Sequence, residues 1–399
     1  MNRWLLNLNL LRRINVPLLL AVLALLVIGV MFVFSSCYVS DERPMRTLYE
    51  RQIVWVVAGL VAHIVFAALD YRRIGKWSWW IYAVSLVLLV VVLFIGTRIY
   101  GARRWLMLFG IGVQPSELAK LAVIFALAAL LGRPRADASD LRTLLVALLV
   151  VSVPVLLILK EPDLGTAMIF VPTAFVMMFV GGVPLRYLLG LAGLGVLVLG
   201  LALGAVFLPE RLAAPPETQA SLREPTGLSE HQVERIKTFF NADADPLGAG
   251  WNKMQSEIAV GSGGTWGKGF LKGTQNILGF LPRSVAPTDF IYSVIAEELG
   301  FVGSVMVLLL FGVVIGLGMQ AAAAARDQLG RLLCTGVVTM VFCHVFINIA
   351  MTVGLMPITG LPLPLLSYGG SFMIITMSAL GIVQSVHIRS RRVGLLFPA

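Results

Sequence analysis

The stretch APTDFIYSVIAEELG, Ala286 to Gly300, sets Asp289 at the mouth of an apolar run and Glu297 and Glu298 about two helical turns further in. A carboxylate at the start of a membrane-crossing helix can serve as a general base. Partial desolvation at the interface raises its proton affinity and offsets the lowering by the helix N-terminus. The plainer role is a helix start, with Thr288 as cap and Asp289 complementing the dipole. That role explains one acid of the three. At about 100° per residue, Ser293 and Glu297 fall on one side with Asp289. The spacing therefore predicts a polar track leading inward from Asp289, with Glu298 facing another partner.

Ionisable groups inside a membrane cost about 2.5–3.5 kcal/mol each at mid-helix on insertion scales, so each calls for a role. In GVQPSELAKLAVIF, Glu117 and Lys120 are three apart on one helix face and can pair. They either brace the bundle or line a cavity that handles a polar substrate. LKEPDLGTA packs Lys160, Glu161 and Asp163 into a turn between two apolar segments, more charge than a solvated turn needs. Asn348, a single amide in an apolar run, suits a helix–helix hydrogen bond.

Phosphate chemistry has its own candidates. GTRIYGARRWLMLFG clusters Arg98, Arg103 and Arg104 beside Trp105. Guanidinium forks bind phosphate oxygens two at a time, so the cluster suits a diphosphate at the lipid surface, with headgroup anchoring as the alternative. Downstream, NKMQSEIAV reads as a short amphipathic helix stopped by GSGG. Five glycines from Gly261 to Gly269 then permit close backbone approach, with Lys268 and Lys272 beside them. Alone this is a weak phosphate-loop pattern. With the arginines and Asp289 it becomes a site.

The elements that must hold these residues are membrane helices. Of the 399 residues, 58% are apolar and 13% charged, with mean hydropathy +0.89, which excludes a water-soluble globule. Apolar runs predict an all-α polytopic protein of about ten spans: 16–36, 53–69, 77–96, 115–132, 143–159, 164–181, 186–208, 289–318, 331–354 and 370–387. The whole chain, 1–399, reads as one transmembrane domain, with a large loop, 209–288, between the seventh and eighth spans. With the N-terminus inside, the cytoplasmic segments hold about fifteen Lys and Arg, among them Arg3, Arg12, Arg135, Arg391 and Arg392, against about seven in the short outer loops. Both termini are expected in the cytoplasm and the large loop outside.

The +10 charge and pI near 9.8 follow from that topology and from anionic lipid, with no nucleic acid implied. Three cysteines make no disulfide framework. His63, His231, His344 and His387 lack ligand spacing, so no metal site is expected. GLPLPLLSYGGS is too rich in Pro and Gly for lipid-exposed backbone and should line a cavity or pack within protein.

The chain resembles the SEDS family (shape, elongation, division, sporulation), the polytopic peptidoglycan glycosyltransferases that include RodA and FtsW. The resemblance rests on GARRWL, QPSELAKLA, EPDLGTA, DPLGAGWNKMQSEIAVGSGGTWGKG, GTQNILGFLP, TDFIYSVIAEELGFVG and INIAMTVGLMPITGLPLPLLSYGGS, in the family's order over nearly all of the chain. GSGGTWGKG with GTQ points to the RodA, or elongation, branch. LPRSVAPTDF departs from the family pattern, with Arg283 in place of a glutamate, no histidine and two extra residues.

The resemblance implies polymerisation of lipid II, a diphosphate-linked disaccharide pentapeptide, at the outer face of the bacterial cytoplasmic (inner) membrane. It implies Asp289 as the catalytic residue, with Glu117, Lys120 and Asp163 in support. A class B penicillin-binding protein as transpeptidase and scaffold proteins of the elongation complex are the implied partners. A Mg²⁺ or Mn²⁺ bridged by the substrate phosphates is compatible with the chemistry. The rival function is a lipid II flippase, which shares the polar cavity but needs no base confined to one face.

Overall fold

The structure is a computed structural model that describes residues 13–38, 45, 47–99, 102–108, 111–133, 140–212, 215, 221, 230–241 and 248–390. The chain is nearly all helical. Its helices are α1 (Val16–Cys37), α2 (Leu48–Ala68), α3 (Tyr71–Lys76), α4 (Ser78–Ile95), α5 (Pro115–Leu131), α6 (Leu141–Lys160), α7 (Leu164–Val180), α8 (Leu185–Arg211), α9 (Glu230–Phe240), α10 (Ala249–Ser262), α11 (Thr274–Ile277), α12 (Ile291–Ala324), α13 (Gln328–Thr352) and α14 (Gly370–Ile388). Every apolar segment of the sequence falls on one of them. Eight of the described helices are long and apolar enough to cross a membrane by length and composition. The other two segments, α5 and α7, are 17-residue helices.

The all-α expectation missed one small sheet. Strands β1 (Thr97–Ile99), β2 (Ala102–Leu108) and β3 (Ile111–Val113) form an antiparallel meander. Thr97 and Trp105 are paired in it, as are Leu106 and Val113. The meander closes the end of α4 against the start of α5.

Burial orders the bundle. α13 and α14 are wrapped by neighbours along most of their length, while α8 is almost wholly exposed and leaves Leu189, Val196 and Leu201 facing outward. Apolar exposure on this scale suits lipid rather than water. At one end of the bundle the hydroxyl of Tyr71 and Nε of Arg72 both donate to Asp327 Oδ2, and Asp327 Oδ1 caps α13 by accepting from the Gly330 amide. Arg389 donates to the carbonyls of Ala67 and Ala68, tying the end of α14 to that of α2. The PLPL segment is buried as expected: Leu361, Leu363, Leu365 and Leu366 are at most 2% exposed.

α12 is not one continuous helix. Gly300 breaks it, with φ 67° and ψ −163°, a conformation that a side chain rarely tolerates. The glycine-rich loop that follows α10 fills the gap. The amides of Phe301 and Val302 donate to the Gly264 and Thr265 carbonyls, and the amides of Lys268 and Gly269 donate to the Glu297 and Glu298 carbonyls. Backbone groups freed by the break are thus satisfied by the loop. Contact is close enough that a Cβ on Gly267 would collide with the Glu298 carbonyl oxygen. The expected eighth span, 289–318, is accordingly corrected: the helix starts at Ile291, changes direction at Gly300 and runs on to Ala324.

Candidate active site

The turn before α12 delivers Asp289. The amides of Thr288, Asp289 and Phe290 converge on the Val285 carbonyl, so the variant segment SVAP winds into compact turns. Thr288 is not the helix cap. Its hydroxyl donates back to the Val285 carbonyl, and the cap position falls to Phe290 with no side-chain bond. The segment is instead held from below. Three successive carbonyls are taken by three different donors: Pro287 by the Tyr368 amide, Thr288 by the Ser367 hydroxyl, and Asp289 by Asn348 Nδ2 at 2.8 Å. Asn348 Nδ2 also donates to the Leu361 carbonyl at 2.7 Å. Its amide therefore bonds α13 to two loops, and the expected helix–helix bond is corrected.

With the Asp289 backbone fixed in this way, its side chain meets the Thr288 hydroxyl and the charges of Arg235 and Arg104. The residue is half-buried by accessible area although protein mass surrounds it, which is the position of a cleft wall. Burial pushes the carboxyl up to about 6, and Arg235, the Thr288 hydroxyl and Arg104 oppose the rise. Arg235 comes from α9 and donates from Nη1 to the Ile358 carbonyl. Gly360, with φ 73°, lies against both groups: a Cβ there would be 3.5 Å from Asp289 Oδ2 and 3.8 Å from Arg235 Nη1. An acid and a guanidinium thus flank one small space. Burial and the Arg104 charge pull the Arg235 pKa down, while Asp289 and Asp163 raise it.

Arg104 reaches the same region from β2. It grips the 161–163 turn, donating from Nε to the Glu161 carbonyl at 3.2 Å and from Nη2 to that of Pro162, with Nη1 3.9 Å from Asp163 Oδ1. Asp163 caps α7, accepting from the Thr166 amide and hydroxyl, and also accepts from Gln114 Nε2. Beside it Glu161 is 1% exposed, and neither of its carboxyl oxygens has a partner among the described residues. Burial and the Asp163 charge push its acid up to about 8, against Arg104. At neutral pH it is therefore mostly protonated, which avoids an unpaired buried charge.

The expected Glu117–Lys120 pair is present at 2.9 Å, both side chains being almost fully buried. Lys120 Nζ also lies 2.7 Å from His344 Nε2, and His344 Nδ1 lies 3.3 Å from the Pro362 carbonyl. His344 is thus a working member of the network, which its isolated position in the sequence did not reveal.

Four expected site residues stand elsewhere. Glu297 is not a cavity group. Fully buried, it accepts from Lys268 Nζ at 2.7 Å, from the Thr274 hydroxyl and from the Gln275 amide. The polar track is closed by α10, where Ser256 and Ser293 share a hydrogen bond at 2.7 Å. Lys268 cannot be a free phosphate ligand, because its three donors already meet Ser262, Thr274 and Glu297. Arg103 donates from Nη1 to the Leu93 and Phe94 carbonyls and so serves the open end of α4. Lys272 is exposed on the glycine-rich loop, its amide donating to the Gly269 carbonyl.

Arg98 lies in β1, with its side chain outside the described residues, as are Arg3, Arg12, Arg135, Arg391 and Arg392 of the basic count. Arg235 was missed altogether. Its only sequence signal is a basic residue in a short amphipathic segment, ERIKTFF.

The chain is similar to known proteins over nearly its whole length. A family model shared by FtsW, RodA and SpoVE and described as "Cell cycle protein" matches residues 16–392. The peptidoglycan glycosyltransferase MrdB of Escherichia coli K12 is 37% identical over 370 residues, covering 93% of this chain and 92% of that protein. Among solved structures, a chain of a peptidoglycan synthase complex that coordinates polymerization and crosslinking superposes with TM-score 0.73 at 32% identity, covering 94% of this chain and 97% of that one. The rod shape determining protein RodA of Thermus thermophilus gives TM-score 0.65 at 30% identity, covering 95% and 98%.

Proposed function

The chain belongs to the FtsW/RodA/SpoVE family of cell cycle proteins, and from that premise we propose that it is a peptidoglycan glycosyltransferase polymerising lipid II during cell-wall elongation and rod-shape maintenance. The observation that carries the site assignment is the Asp289 cluster, an acid with a clamped backbone and an accessible side chain facing two arginines. In the reaction, the Asp289 carboxylate takes the proton of the acceptor hydroxyl as its oxygen attacks the anomeric carbon of the donor sugar. The bond from that carbon to the diphosphate breaks as the new glycosidic bond forms. Arg104 and Arg235 meet the charge that develops on the leaving diphosphate. Asn348, Ser367 and the Tyr368 amide hold the base in place.

Among the described residues, no three His, Cys, Asp or Glu side chains are grouped to hold a metal. A Mg²⁺ or Mn²⁺ would therefore be carried by the phosphates, and no step above runs through it. The protein is a multi-pass membrane protein; its place in the bacterial cytoplasmic membrane, the two cytoplasmic termini and the outer position of 209–288 belong to the proposal, supported by the lysine and arginine count. The solved synthase complex, described as joining polymerization to crosslinking, supports a class B penicillin-binding protein as partner, with elongation scaffold proteins alongside. Purified protein given labelled lipid II, with and without the partner, tests the activity. Glycan chains are expected. Movement of lipid II across vesicles without chain formation would favour a flippase instead.

A further inference from the structure

The broken helix α12 divides sharply by exposure. Every residue from Ile291 to Glu298 is buried, whereas Phe301 is 68% exposed and a ridge of exposed side chains follows at Val302, Met306, Leu309 and Val313. From Phe301 to Ala324 the helix has about 24 residues, or about 36 Å, enough to cross a bilayer core of about 30 Å unaided. The apolar helix α1 ends at the same level: Glu298 accepts from the Ser35 hydroxyl, and Asn276 Nδ2 donates to the Ser35 carbonyl, two residues before the end of α1. The exposed apolar part of α12 and the apolar helix α1 therefore end at one level, that of Gly300. At that level the glycine-rich loop turns Trp266 outward, 79% exposed, next to the Thr265 carbonyl that bonds Val302. Phe270 packs edge-on against Phe32 of α1, and Lys272 stands exposed beside it.

We propose that the loop Gly264–Lys272 is a membrane-contact surface, with the Trp266 ring lying in the lipid headgroup layer and the edge of the hydrocarbon core crossing α12 at Gly300. An amphipathic indole favours that layer, and an exposed lysine there meets lipid phosphate. The occupant is lipid because the loop continues, without a step, the exposed apolar ridge of a membrane-crossing helix. As a consequence Asp289, Glu297 and Glu298 all lie on the aqueous side of the core. In the topology proposed above this is the outer leaflet.

The test is depth-dependent fluorescence quenching in vesicles of phosphatidylethanolamine and phosphatidylglycerol, using the full chain. The Trp266 contribution is the difference between the native protein and Trp266→Phe, with Trp266→Tyr as a second reference; the side chain is exposed, so both variants are expected to fold. A headgroup nitroxide should abolish most of that contribution, and a nitroxide at acyl carbon 12 should leave most of it. Survival under the headgroup label, as for a loop in water or under another protein, would overturn the proposal. Loss to the deep label alone would overturn it too. Depth does not depend on which leaflet is involved, so failure here would leave the proposed topology and activity untouched.

Discussion

Asp289 and the pair Glu297–Glu298 stand on one stretch of chain, two helical turns apart, and the fold treats them in opposite ways. At Asp289 the surroundings grip the backbone and leave the carboxylate accessible. At Glu297 and Glu298 they grip the side chains: Lys268, Thr274 and the Gln275 amide on one, Ser35 and the Leu271 amide on the other. A carboxylate surrounded by donors is a fastener, since its charge is already answered. A carboxylate raised by burial, with a fixed main chain and a guanidinium across a small gap, is suited to exchange a proton. Residue type is the same in both places. What differs is which part of the residue the protein immobilises.

The contrast is broken most directly by Asp289→Asn, which keeps size and hydrogen bonding but removes the base. Polymerisation of lipid II by the purified variant should drop about 10²–10⁴-fold with membrane insertion and lipid II binding retained; near-normal chain formation would return Asp289 to a helix-start role. Arg235→Ala should come next. Losing a charge-assisted contact to the diphosphate costs about 1.5–3 kcal/mol, or roughly 10–150-fold in kcat/KM, and an unchanged value would remove Arg235 from the site.

The pH profile sharpens the assignment further. The active form is the carboxylate, so the rate should be level above the Asp289 pKa of about 6 and fall about tenfold per pH unit below it. Because Arg235 opposes the rise in that pKa, Arg235→Ala should move the acid limb to higher pH. A limb that stays put would show that the titrating group is not Asp289. The smallest effect on turnover is expected from Glu297→Gln. It should lower thermal stability, by about 1–3 kcal/mol for the weakened buried contacts, while activity per folded molecule stays close to native. A loss of turnover as large as that of Asp289→Asn, in protein of native stability, would erase the distinction.

Much of this was legible in the sequence. Apolar runs mark the helices because lipid demands them, and Glu117 with Lys120 is visible as a pair because its partners are three residues apart. The burial of GLPLPLLSYGGS followed from backbone chemistry alone. What could not be read depends on distance along the chain. His344 meets Lys120 across 224 positions, and Arg235 faces Asp289 from a short polar helix that carries no motif. Lys268 looks like a phosphate ligand until Glu297 is seen to hold it. The break at Gly300 was hidden because a glycine in an apolar run resembles any other helix glycine, and its conformation is set by a loop more than thirty residues earlier. β1 to β3 escaped notice because their residues repeat no clear alternation.

The joint at Gly300 also sets an order of biogenesis. The glycine-rich loop is synthesised before α12, yet it cannot dock until α12 exists, because its hydrogen bonds go to Glu297, Glu298, Phe301 and Val302. During synthesis the loop must therefore wait undocked, and the newly inserted helix lacks the contacts that set the break at Gly300. Docking then finishes the span after insertion rather than during it. A late structural event near Asp289 is thus the docking of that loop, and a chain stalled before it would be inserted, full length and unfinished.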